Sequence, residues 1–106
     1  MQRYIVERNL PGASNLSPEE RQNLAKVYLE ARDELGKPFF WVSSFVIEDK
    51  LYCILVTDSP ETIREHSRLS KFPIHNISEI KTILDPLSSN PFPQKEPRQV
   101  SACHNM

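Results

Sequence analysis

The chain has 106 residues, enough for one domain and too few for a second catalytic module. Thirteen Lys and Arg against fourteen Asp and Glu leave a net charge of −1 and a pI near 6.3, which argues against a broad basic surface for nucleic acid. No run approaches the ~20 apolar residues of a membrane span, and MQRYIVERNL lacks the apolar centre of a signal peptide. The expected compartment is therefore the cytoplasm, with Cys53 and Cys103 as reduced thiols.

Arg3–Asn9, with Tyr4, Ile5 and Val6, reads as a first strand closed by the turn residues Pro11 and Gly12. Ser17-Pro18-Glu19-Glu20 carries the chemistry of a helix start: a capping hydroxyl, a proline at the first helical position, and a carboxylate placed to complete a capping box. Leu24, Val27, Tyr28, Ala31 and Leu35 follow at helical spacing, and Gly36 supplies the stop. Phe39–Ile47 and Leu51–Thr57 are aromatic and β-branched runs joined by Glu48-Asp49-Lys50, which predicts an antiparallel hairpin. Ser59-Pro60-Glu61 opens a second helix running to about Ser70, and Phe72-Pro73 ends it. A last strand is expected over Ile77–Leu84. From Pro86 onward the prolines at 86, 91, 93 and 97 and the loss of apolar periodicity predict a disordered tail over residues 87–106, after a domain of residues 1–86.

The order β-α-β-β-α-β is that of the α+β ferredoxin-like fold, with two helices on one face of an antiparallel sheet and the first and third strands at its centre. Simple alternation along the second strand puts Phe39, Trp41 and Phe45 on one side and Phe40, Val42 and Val46 on the other. The third strand divides Leu51, Cys53 and Leu55 from Tyr52, Ile54 and Val56. Both faces are apolar while helices cover only one, so a homodimer is expected, its sheets face to face in a dimeric α/β-barrel-like association.

Candidates for chemistry are few. His66 lies beside the inward stripe of the second helix, where it would either ligate a metal or bond a backbone carbonyl as an ordinary boundary residue. Its neighbour Glu65 points about 100° away, so the two do not chelate one ion together. His75 sits in the loop before the last strand, as a ligand or a solvated side chain. Glu7 and Arg8 point to opposite faces of the first strand, and Glu7 is either a catalytic group or half of an edge ion pair. Cys53 reads as a packed thiol, Cys103-His104 as half a site at most, and Tyr4, Trp41 and Tyr52 as core or interface aromatics. The chain has no CxxC, HExxH or GxSxG motif, Ser44 has no activating base in sequence, and Gly12 and Gly36 cannot form a phosphate-binding loop.

The blocks RYIVERNLPGA at 3–13, LSPEE at 16–20, ELGKPFFWVSSFV at 34–46, DKLYC at 49–53, IREHSR at 63–68 and FPIHNISEIKTILDP at 72–86 carry a resemblance. They are similar to a family of small bacterial ferredoxin-like proteins of unknown function, typified by an actinobacterial nickel-binding protein. Arg3, Tyr4, Glu7, Trp41, Lys50, Tyr52, Cys53, His66 and Pro73 match the family pattern. Phe45 stands where a tyrosine is expected, and His75 where the family has a small or amide residue. The resemblance implies a dimer that binds nickel at its surface without turnover, for sequestration or response, with His66 as the ligand carried across. Together with the residue reading, the metal candidates are His66, His75 and Glu7, and the expected partners are a second copy and a divalent transition metal, with neither nucleic acid nor membrane. Two other readings remain: a small enzyme with a pocket near Glu7, Tyr52 and His66, and an interaction module that uses its proline-rich tail.

Overall fold

A computed structural model describes residues 1–89, which places Cys103, His104 and all but the first three residues of the expected tail outside the described residues. Four strands and two helices follow the expected order: β1 (Gln2–Asn9), α1 (Pro18–Leu35), β2 (Phe39–Ile47), β3 (Lys50–Thr57), α2 (Pro60–Ser70) and β4 (Asn76–Ile80). Short 3-10 turns lie at Ala13–Asn15 and Pro86–Ser89. The sheet is antiparallel throughout, in the order β2-β3-β1-β4, with β1 and β3 central as right-handed crossovers require.

Local chemistry sets the helix ends. Ser17 Oγ accepts from the Glu20 amide at 3.0 Å, and Glu20 Oε1 accepts from the Ser17 amide at 2.8 Å, a reciprocal cap worth about 1 kcal/mol. Gly36 ends α1 in the left-handed region at φ 67°. Tyr28, Ala31 and Leu35 bury one stripe of α1, while Val27 falls just outside it and is exposed. Ser59 caps α2, and Lys71 ends it at φ 66°, a conformation that a side chain adopts at a cost.

Along β1 the burial alternates, so Tyr4, Val6 and Arg8 face the helices while Arg3, Ile5 and Glu7 face away. In β3, Cys53, Leu55 and Thr57 take the inner side, and Tyr52, Ile54 and Val56 the open one. The core packs Tyr4, Val6, Tyr28, Leu35, Phe39, Cys53, Leu55 and Ile63 between sheet and helices.

Two expectations need correction. A bulge at Val42 breaks the β2–β3 register between Trp41 and Ser43, and the extra residue reverses the alternation beyond it. Phe45 therefore pairs with Tyr52 on the open face, away from Trp41, while Val46 pairs with Leu51 on the helix side. The last strand also stops at Ile80, opposite Arg3, rather than at Leu84. In that register Ile83 and Leu84 lie past Gln2, the first residue of β1, so no β1 residue stands opposite them.

Candidate functional site

The inner face of β1 delivers a charge into the core. Arg8 is 1% exposed and has no carboxylate partner among the described residues. Its Nη2 donates to the Tyr28 hydroxyl at 2.9 Å, and its Nη1 to Ser67 Oγ at 2.8 Å and to the carbonyls of Phe72 and Pro73 at 3.4 and 3.3 Å. The guanidinium also lies over the Tyr28 and Phe72 rings, 5.4 and 5.8 Å from their centroids, while its Nε has no partner. Oxygen dipoles and ring faces thus replace the hydration of the charge. Burial raises the Tyr28 hydroxyl above the ordinary phenol range, although Arg8 pulls the other way. The sequence signal for this site was only Arg8's register with Tyr4 and Val6, on the apolar side of the strand.

His66 belongs to the same layer. It is fully buried, stacked on Phe39 at 4.1 Å between ring centroids and edge-on to Tyr28 at 4.4 Å. Its Nε2 lies 2.9 Å from the Tyr28 carbonyl, which can only accept, so Nε2 carries the proton. Nδ1 is then an unprotonated nitrogen without a hydrogen-bond partner. Burial lowers the imidazole pKa; the Tyr28 carbonyl opposes the shift and the Arg8 charge adds to it. This is the arrangement of a core histidine bonded to backbone. A metal at Nδ1 would have to enter a packed aromatic cluster.

Glu7 and His75 lie elsewhere. Glu7 is on the open face, where its carboxylate accepts from Lys50 Nζ at 2.7 Å. That bond holds the Glu7 pKa below the usual carboxylate range, partial burial opposing it and the nearby His75 charge contributing in the same direction. His75 is exposed, and its backbone N–H donates to the Glu7 carbonyl at 2.8 Å, just before Asn76, which pairs with Glu7 across the β1–β4 ladder. Tyr52 stands opposite Glu7 across the β1–β3 ladder.

The sheet therefore separates Glu7 from His66, while His75 adjoins Glu7 through the backbone. Among the described residues no group of three or more His, Cys, Asp or Glu side chains is placed to hold a metal ion. The expected pocket lined by Glu7, Tyr52 and His66 does not form either, because alternation sends the first two to the opposite face from the third. The cleft that opens between the sheet and α1 is lined instead by Leu10, Leu16, Arg21, Leu24, Ala25, Tyr28, Trp41, Ser44, Val46, Leu51 and Phe72.

This frame, a four-stranded antiparallel sheet with both helices on one face and an apolar open face, is that of a ferredoxin-like domain. Residues 4–80 match the family model described as nickel responsive protein SCO4226-like, and the chain belongs to that family. The crystal structure of SCO4226 from Streptomyces coelicolor A3(2) is similar in fold, with a TM-score of 0.62 at 12% identity over 77% of this chain and 99% of that one. A search of curated protein sequences finds no match. No helix among the described residues is long and apolar enough to cross a membrane.

Proposed function

We propose that this protein binds Ni(II) without catalysing a reaction, as a homodimer whose open sheet faces meet, and that it serves nickel sequestration or response. The observation that carries the reading is the Glu7–His75 corner: a carboxylate on the apolar open face and an exposed histidine whose backbone N–H bonds the Glu7 carbonyl, in a member of a nickel-responsive family. Imidazole and carboxylate are suitable ligands for Ni(II), and two ligands are too few, so the remaining positions fall to a second copy or to water. The metal would take the Glu7 carboxylate from Lys50. His66 keeps a structural role beneath the sheet.

Calorimetric titration of the full chain with Ni(II), Co(II), Cu(II) and Zn(II) tests this. Glu7→Gln and His75→Ala are each expected to weaken Ni(II) binding by at least about tenfold, the usual scale for disturbing a metal site. His66→Ala should leave the affinity unchanged while lowering the melting temperature. Binding should also weaken at acid pH, because protons compete with the metal for its ligands. If His75→Ala binds Ni(II) normally, or if a Cys103→Ser, His104→Ala variant does not bind it, the corner is not the site.

A further inference from the structure

The cleft between α1 and the β2–β3 hairpin is unrelated to the Glu7–His75 corner, since it lies on the other side of the sheet. It has a volume of about 200 Å³, below the roughly 300–1,000 Å³ of pockets for drug-sized ligands, so its occupant is small. Leu24, Trp41, Val46 and Phe72 make its walls apolar. The bulge at Val42 creates this wall, because it turns Val46 inward and leaves its side of the hairpin uncovered, 42% exposed.

The electrostatics of the cleft have one sign. Arg21 is the single charged residue lining it, and no Asp or Glu does. Arg21 Nη1 donates to the Leu16 carbonyl at 3.0 Å, and no carboxylate among the described residues pairs with it. Beneath the floor, Tyr28 and Phe72 separate the cleft from the buried Arg8, a second cation without a carboxylate. We infer that this cleft binds a small apolar carboxylic acid, its hydrocarbon body between Leu24, Trp41, Val46 and Phe72 and its carboxylate on Arg21. The body removes apolar surface from water, and the acid supplies the anion that neither arginine has.

Trp41 is the only tryptophan of the chain, so its emission reports on the cleft directly. The full-length protein is titrated with octanoate, with octanol and octylammonium as probes of the same body and different charge. Octanoate is expected to change Trp41 emission saturably, with octanol about fivefold weaker, the scale of one partly exposed charge pair, and octylammonium weaker still. Arg21→Gln, an exposed change, should bring octanoate to the level of octanol. Ala25→Phe, which fills the cleft, should abolish the response while thermal unfolding remains a single transition. The proposal is overturned if octanoate gives no saturable change, if the three probes respond alike, or if Arg21→Gln binds octanoate as the parent does. A response that disappears as the protein concentration rises would give the cleft to a second copy and overturn it as well.

Discussion

The two faces of the sheet contrast in an unexpected sense. The face under the helices buries Arg8, His66, Thr57, Ser67, Thr62 and Ser70 among its apolar residues, and the face without helices exposes Phe40, Val42, Phe45 and Ile47 to more than half of their surface. The polar groups lie inside because partners were built for them: Thr57 Oγ1 donates to the Pro38 carbonyl at 2.6 Å, His66 bonds the Tyr28 carbonyl, and Arg8 has four oxygen acceptors. The apolar groups lie outside because both helices described cover the same side of a two-sided sheet. Polarity alone does not sort residues between inside and outside. The supply of partners does.

The strongest way to break this contrast is to remove Arg8. Arg8→Ala leaves the Tyr28 hydroxyl, Ser67 Oγ and two carbonyls without their donor and opens a void, and should cost ~3 kcal/mol in chemical denaturation. Arg8→Met keeps the volume and discards the charge, so it should cost about 1–2 kcal/mol less than the alanine change. A loss below ~1 kcal/mol for Arg8→Ala would mean that the inner polar groups are incidental. The outer face should respond in the opposite way. Phe45→Asp is expected to dissociate the proposed dimer in sedimentation while changing the stability of the subunit by only about 0.5 kcal/mol, as exposed substitutions do. Its neighbour Val46→Asp lies on the helix side of the bulge and should leave association unchanged.

A pH series sharpens the inner half of the comparison. Burial depresses the His66 pKa in the folded state, so below about 6.5 the unfolded chain binds one more proton than the native one. The stability due to His66 is therefore fully present above pH ~6.5 and is lost as the pH falls from there toward the folded-state pKa. His66→Phe should flatten this slope. The smallest effect expected is a gain. Lys71→Gly relieves a side chain held at φ 66° and should stabilise the domain by about 0.5–1 kcal/mol, read as a higher melting temperature.

Most of this architecture was legible in the residues. The Ser17–Glu20 box, the Gly36 stop and the aromatic runs around Glu48-Asp49 located α1 and the hairpin, because caps, stops and turns are local chemistry. Three features were not local. The bulge at Val42 depends on how β2 meets β3, and nothing in WVSSF marks an extra residue, so simple alternation puts Phe45 and Val46 on the wrong sides. The length of β4 depends on its register against β1. The placing of His66 was half visible: its spacing from Ile63 put it near the core, but only the docked α1 brings the Tyr28 carbonyl to its Nε2. For the same reason the expected grouping of Glu7, Tyr52 and His66 failed, although the opposite orientations of Glu7 and Arg8 followed at once from strand alternation.

The partners of Arg8 come from three separate pieces of the chain: Tyr28 on α1, Ser67 on α2, and the carbonyls of Phe72 and Pro73 in the following loop. Each of these pieces, leaving alone, gives up its bond to the guanidinium while the others keep theirs. Opening either helix therefore breaks bonds to the same side chain, which couples α1 and α2 through the central strand. A single side chain in β1 thus ties together an 18-residue and an 11-residue helix, neither joined to the other by hydrogen-bonded backbone.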